Sequence, residues 1–473
     1  MTKRSNDSQT CPVCHGLAAG ADRFCTHCGA NLVNGNAAYR RRVVVTGVGA
    51  LTSVGLTAPE SWQNILAGGT GIQTDPKLLE MGFPCAVRGI VDHDAVTNHY
   101  LDSKTARNTS AFSLWLLEAA GEALQDAGLI DDDHQATIDM SRGGAVIGTC
   151  VGGLYDDVLP AYDTFLNRGP DRISPHLHVK FPLNMAGYSV QWRFGLNGPS
   201  NTVSTACATG TQAIGEAFHA IAFGQAPVMI AGATESTGHP LGTAGFAAMR
   251  ALVTDSNHDP EHALRPFDAT RAGFALGEGA GALVLEDLEF AKARGATVYA
   301  EILGFASSND AYHPIAPNPV GHGAAIAIDA ALADAGVGPE AIGHIQAHAA
   351  STPAGDVAES KAIEISYGDR ATTIPVMSFK GAIGHCMGGA GAIETAMAVY
   401  SMADQLIAPT KNFQNPDPEI PLDIVRGEPR PHTFHAMAKH GFGLGGQNAC
   451  LIIGRAPGGF ESKGSGVNGT GNA

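Results

Sequence analysis

Two stretches decide how this chain folds: Ser200–Gly224, SNTVSTACATGTQAIGEAFHAIAFG, and Ile374–Met402, IPVMSFKGAIGHCMGGAGAIETAMAVYSM. Each starts as a short strand-like run, passes through small residues and continues as an apolar segment of helical length, so each reads strand, tight turn, helix. One turn carries Cys207 and the other His385. Working outward, apolar runs such as RRVVVTG, GAVIGT, VMIAGA and GALVLED alternate with helix-like segments such as SAFSLWLLEAAGEALQDAG, the pattern of α/β layering. A second alternation, VYAEILGFASSND, AAIAIDAALADAG, IGHIQAH, IPVMSF, AIETAMAVYSMA and ACLIIG, repeats that order. A duplicated unit would bring the two turns together at a pseudo-twofold axis. The chain therefore divides into a half over residues 39–296 carrying Cys207 and a half over 297–455 carrying His348 and His385. Its 473 residues suit one compact duplicated body.

Both ends stand apart. Residues 1–38 are polar and Cys-rich, and they run through the linker NGNAA into Arg40–Arg42. The spacing Cys11-x2-Cys14, ten residues, Cys25-x2-Cys28 can present four thiolates tetrahedrally, which predicts a structural zinc ribbon. A closed four-Cys site leaves no position for substrate, so the ribbon reads as a docking or regulatory module for a protein partner. Residues 456–473, APGGFESKGSGVNGTGNA, offer little to bury and read as a flexible tail.

A net charge of -16 argues against nucleic acid as a partner, since phosphate binding requires a dominant basic field. No run reaches the roughly 18 apolar residues of a membrane span, and MTKRSNDSQT has no signal-peptide core, so the default location is cytoplasmic. Nine cysteines, four of them in the N-terminal segment, do not make a disulfide scaffold.

Cys207 is flanked by Ala206, Ala208 and Gly210, so a sharp turn can lift its sulfur to the N-terminus of the following helix. There the dipole and free N–H groups favour a thiolate, predicting a lowered pKa. A free Cys is more often a small buried hydrophobe; partners decide the case. His348 ends IGHIQAH before a turn-forming run, and His385 sits between Gly384 and the pair Gly388–Gly389, so both lie at strand ends where a substrate arm can approach. Neutral imidazoles there can donate to a thioester oxygen.

Beyond VSTACATG, the segments GLNGPS, RPFDATRAGFALGEGAGALVLEDLEFAKARGA, GFASSNDAYHPIAP, AHAASTPAGDVAE, SFKGAIGH and GFGLGGQN occur in an order that resembles the elongating β-ketoacyl-acyl carrier protein synthases over about residues 39–455. The resemblance implies a thiolase-like five-layered αβαβα fold of two βαβαβαββ halves, usually a homodimer. It implies that Cys207 takes the acyl group from a carrier protein thioester delivered on phosphopantetheine, and that His348 and His385 hydrogen-bond the malonyl thioester oxygen before decarboxylative condensation. It also matches Lys380 to a lysine that orders the site through a carboxylate, for which Glu359 is the candidate. The backbone N–H groups of Cys207 and Leu444 would form the oxyanion hole. Asp268, Arg271 and Phe274 would shape the site floor and its loops, and Lys104, Arg107 and Arg250 would meet the acidic carrier.

The chain departs from that pattern in places. Ala350 replaces the first threonine of the His-Gly-Thr-Ser-Thr run, leaving Thr352 to hold the arm. Leu444 replaces the second aromatic of the Phe-Gly-Phe-Gly-Gly gate, whose first is Phe442, and Cys386–Met387 follow the second His. These changes suit a specialised, polyketide-like synthase. Two rivals remain open: a coenzyme A-dependent thiolase, which needs a second catalytic Cys near the C-terminus where only Cys450 stands, and a non-elongating partner subunit that sets chain length or scaffolds a complex.

Overall fold

The computed structural model describes residues 9–10, 17–18, 40–458 and 463–466. Cys11, Cys14, Cys25 and Cys28, on which the expectation of a zinc ribbon rests, lie outside the described residues. The first half contributes strands β1 (Val43–Leu51), β2 (Gly144–Gly148), β3 (Ser200–Val203), β4 (Val228–Glu235) and β5 (Gly279–Asp287). The second contributes β6 (Ala300–Asn309), β7 (Ile342–Gln346), β8 (Pro375–Met377), the two-residue edge β9 (Asp423–Ile424), β10 (Ala436–Gly443) and β11 (Gln447–Arg455). Across the sheet they run β9-β8-β7-β10-β11-β6-β1-β5-β4-β2-β3.

With β9 set aside, the strands of each half, counted in chain order, sit in the order 3-2-4-5-1. In that sheet order the first three strands are parallel to one another and the fourth runs antiparallel to both of its neighbours, in both halves. The duplication expected from the two turns is thus present strand for strand. The halves meet where Val43, Val44 and Val45 pair with Ile302, Glu301 and Ala300.

The helices explain the layering. Between the halves lie α3 (Thr209–Ala222) and α6 (Met387–Asp404), the latter buried from Met387 to Met402. On the outer face of the first half pack α1 (Ala111–Asp126) and α2 (Met185–Phe194), and on that of the second α4 (His322–Ala335) and α5 (Pro353–Tyr367). A helix with apolar residues all round belongs in the middle of a body, whereas an outer helix needs one apolar stripe. Residues of β1, β4 and β5 are buried without exception, as strands covered on both faces must be.

The two central helices cross at glycines. A Cβ on Gly210 would stand 2.3 Å from the Ala392 nitrogen, and one on Gly391 would stand 2.3 Å from the Thr211 nitrogen. Only glycine allows that approach, and it draws together the N-terminal ends of α3 and α6, where Cys207 and His385 sit.

In the stretch read as a flexible tail, residues 463–466 instead lie against the body. Lys463 Nζ reaches Asp126 Oδ1 at 2.6 Å, and Ser465 Oγ donates to Asp404 Oδ2 at 2.5 Å. Asp404 also accepts from Trp62 Nε1, so this contact joins a core residue that composition alone could not reveal. Among the described residues, no helix is long and apolar enough to cross a membrane.

Candidate active site

Cys207 lies between β3 and α3 in a turn whose Ala206 adopts φ 49°, a left-handed conformation that costs an L-residue energy and is held by its surroundings. Cys150 Sγ, in the loop after β2, lies 3.2 Å from the Ala206 carbonyl oxygen, and Thr209 Oγ1 accepts from the Thr205 N–H at 2.7 Å, bracketing the turn. Gly443 packs so closely that a Cβ there would meet the Cys207 nitrogen at 2.7 Å, and the next N–H, that of Leu444, donates to the Cys207 sulfur.

A cavity of about 380 Å³ opens onto this sulfur. Its walls include Cys207, His348, His385, Phe274, Phe442 and Leu444, and Ala350, Thr352 and Arg250 line it further out. The imidazoles of His348 and His385 stand 5.4 Å apart at 76°, and Phe274 meets the His385 ring edge-on at 5.1 Å. Three residues separated by up to 178 positions in sequence thus share one pocket because the halves are related by the crossing of α3 and α6.

Burial holds both histidines well below the usual imidazole range, reinforced for each by the Lys380 ammonium. Near neutral pH they are uncharged and can each donate one ring N–H. The thiol departs from expectation. Burial pushes Cys207 up to about 11, and the opposing pull of Lys380 and the Leu444 N–H does not overcome it. The helix terminus predicted a lowered pKa, but desolvation in a site 7% exposed outweighs a partial charge.

Lys380 departs too. Its ammonium, fully buried, pairs with Glu394 Oε1 at 2.5 Å and donates to the His348 carbonyl, so the carboxylate that orders it is Glu394, not Glu359. Lys380 sits on the short helix Lys380–Ile383, which faces α6, where Glu394 lies one helical face in from the turn. Glu359, on α5, accepts instead from the N–H of His348 at 2.8 Å and of Ala349 at 2.7 Å, and from His440 Nδ1 at 3.0 Å. Burial pushes its carboxyl up, but those donors carry it below its ordinary value. The signal for Glu394 was legible as an acid in the middle of a long apolar helix whose other acid, Asp404, is its last residue, and a mid-helix position there is tolerated only with a buried partner.

The remaining residues divide cleanly. Asp268 is buried away from the pocket, and its carboxylate accepts from the N–H groups of Thr270, Gln414 and Asn415 at 2.8, 2.8 and 2.6 Å, which makes it a loop anchor. Arg271 pairs with Asp417 at 2.6 Å and donates to the carbonyls of Thr352 and Pro353, fixing the loop that bears Thr352. Thr352 caps α5 through its Oγ1, which accepts from the Gly355 N–H at 3.2 Å. Arg250 is exposed at the pocket wall with φ 56°, whereas Lys104 and Arg107 lie on the exposed helix Ser103–Arg107, outside the lining. Cys450 is fully buried in β11 and takes no part in the cavity, which removes the second cysteine a thiolase would need.

A thiol facing two neutral imidazoles and a backbone N–H, on a duplicated α/β frame, defines a class: enzymes of thiolase-like fold that pass acyl groups through a cysteine thioester. The comparisons with known proteins narrow the class. The family described as "Beta-ketoacyl synthase, N-terminal domain" matches residues 40–291, and "Beta-ketoacyl synthase, C-terminal domain" matches residues 299–414. A 3-oxoacyl-[acyl-carrier-protein] synthase 2 of Coxiella burnetii is 41% identical over 88% of this chain and 99% of its own, and one of Synechocystis sp. is 42% identical over 88% and 98%. Among solved structures, a beta-ketoacyl synthase from Burkholderia phymatum superposes with a TM-score of 0.81 at 34% identity, covering 88% of this chain and all of that one. A type II polyketide ketosynthase captured with its acyl-carrier protein gives 0.80 at 32%, with the same coverage. The chain belongs to the beta-ketoacyl synthase family.

Proposed function

We propose that this protein is a 3-oxoacyl-[acyl-carrier-protein] synthase that condenses a Cys207-bound acyl group with a malonyl unit carried on phosphopantetheine. The observation that carries the reading is the convergence of Cys207, His348 and His385 on one cavity, with both imidazoles kept neutral. In the first half-reaction the Cys207 sulfur attacks the carrier thioester. Its proton leaves with the departing pantetheine thiol, and the oxyanion is held by the N–H groups of Cys207 and Leu444. In the second, neutral His348 and His385 donate to the malonyl thioester oxygen while the carbon–carboxylate bond breaks and carbon dioxide leaves. The resulting enolate attacks the acyl carbonyl, and the Cys207 sulfur departs and is reprotonated. Each aimed donor contributes about 3 kcal/mol in such a dry site.

Leu444 and Ala350 make the pocket more apolar and more open than a gate of two aromatics with a threonine would, which favours bulky or polyketide-like chains. The arm then rests on Thr352 and the acidic carrier on Arg250. A second copy fits along β3, which ends the sheet with Ser200 and Asn201 exposed. Beside it, the stacked Tyr188 and Trp192 are 51% and 55% exposed, so a homodimer is the natural assembly. The four cysteines Cys11, Cys14, Cys25 and Cys28 hold one structural zinc and present a protein-docking module.

The test is incubation with acyl-carrier and malonyl-carrier substrates. Intact mass should show acylated Cys207 and a 3-oxoacyl product, and the Cys207→Ala variant should show neither. Unacylated native protein across a range of chain lengths would overturn the reading. For the ribbon, one zinc per chain that is lost in a Cys11→Ser/Cys14→Ser variant is expected, and zinc-free native protein would refute it.

A further inference from the structure

Behind the two histidines, β10 carries two polar residues in an otherwise apolar run, Lys439 and His440, both fully buried. Neighbours on a strand point to opposite faces, and these two do so with effect. Lys439 points inward to the central helix α6, where its Nζ stands 2.9 Å from Glu394 Oε2, and it also reaches the His440 carbonyl at 2.5 Å. His440 points outward to α5, where its Nδ1 stands 3.0 Å from Glu359 Oε1.

Each carboxylate touched from behind holds one end of the His348 peptide unit. Glu359 accepts the His348 N–H and, through its other oxygen, the Ala349 N–H. Glu394 holds Lys380, which donates to the His348 carbonyl. The His348 backbone is thus clamped at donor and acceptor alike, and the two clamps share one strand. A third contact joins them, because the His440 ring stacks on Phe442 at 5.3 Å and 28°, and Phe442 stands 6.1 Å from the His348 ring. Glu394 lies between two ammoniums and carries both of its oxygens in ion pairs, so removing Lys439 would leave that carboxylate half-satisfied in a dry interior and free to swing toward Lys380.

We infer that Lys439 and His440 are positioning residues that fix the donor geometry of His348 for the malonyl half-reaction, Lys439 acting through Glu394 and Lys380, and His440 acting through Glu359. The inference rests on the proposed condensation, in which His348 works in the second half-reaction and has no part in loading Cys207. It also makes a chemical distinction at His440. Its Nε2 is buried with no hydrogen-bond partner, so only Nδ1 does work, and an asparagine, whose amide sits near the place of Nδ1, can take over its hydrogen bond to Glu359.

The experiment separates the two half-reactions on the full chain. Cys207 acylation is followed by intact mass, and malonyl-carrier decarboxylation is followed with Cys207 already acylated. Lys439→Met and His440→Leu should acylate at the native rate yet lower the kcat of decarboxylation by about tenfold to a hundredfold, with little change in KM, the loss expected when a donor is misplaced by a fraction of an ångström. His440→Asn should restore it to within about threefold. Equal loss of acylation and decarboxylation in the variants would mark a merely structural role and overturn the inference, as would native decarboxylation in Lys439→Met and His440→Leu. Native protein that fails to acylate would instead overturn the condensation reading.

Discussion

The two turns at the centre of the molecule are equivalents that do different work. In the first half, residues 204–208 join β3 to α3. In the second, residues 378–386 join β8 to α6, and the added length is the short helix Lys380–Ile383. Both turns place a non-glycine residue in the left-handed region at the helix start, Ala206 at φ 49° and Met387 at φ 47°. The shared frame fixes where a side chain can be delivered, and the inserted turn of helix decides what is delivered. One side brings a lone thiol; the other brings an imidazole, kept neutral by burial, together with an ammonium that reinforces it. Glu235 ties the start of α6 to the loop that braces the first turn, accepting from Gly388 N–H at 3.0 Å and from Cys150 N–H at 2.9 Å and Val151 N–H at 3.0 Å, and Cys150 in turn touches the Ala206 carbonyl.

The largest expected effect falls on the first turn: Cys207→Ala should lower condensation by at least about 10³-fold in a product assay, since the nucleophile of the proposed condensation has no substitute. On the second turn, His385→Ala should cost about 10²- to 10³-fold in malonyl decarboxylation while leaving Cys207 acylation intact. Equal effects on both half-reactions would break the division of labour. The crossing that unites the turns is tested by Gly391→Ala, which should destabilise the fold by about 3 kcal/mol in chemical denaturation, because the Cβ would strike backbone and not a yielding side chain.

Two pH dependences sharpen the electrostatic contrast. With its pKa near 11, the Cys207 thiol should react with iodoacetamide about tenfold faster per pH unit from 7 to 10, with no plateau near 9. The histidines act in the other sense. Their folded pKa values lie below the unfolded value of 6.5, so the unfolded chain binds protons first. Their contribution is complete above pH 6.5 and is lost as pH falls toward the folded values, by up to about 1.4 kcal/mol per unit for each. Thermal unfolding between pH 7 and 5 should show this, and a His348→Asn/His385→Asn variant should show less of it.

Much of this was legible in the sequence. Strand–turn–helix patterning placed Cys207 and His385 on equivalent turns, and the ordered motifs supplied His348, Lys380 and the Leu444 N–H. What escaped was pairing across elements. Glu359 and Glu394 are both acids on helices beside the site, and which one meets Lys380 depends on whether a helix lies inside or outside the sheet. Local pattern does not encode that. The pKa of Cys207 escaped for a related reason, since a helix start is visible in sequence whereas the depth of burial is not. Lys439 and His440 were visible as polar residues in AMAKHGFG, yet their meaning required knowing that each face of that strand is dry.

The glycine crossing of α3 and α6 has a consequence for how the protein is made. The surface of α3 that receives α6 is finished early in synthesis, and its cover is encoded far downstream. The first half therefore leaves the ribosome with one apolar face of α3 uncovered, the other face packing on β2 and β4 of its own half. Burial of that face has to wait for Met387–Asp404 to emerge, and apolar surface left open over such an interval is prone to aggregation.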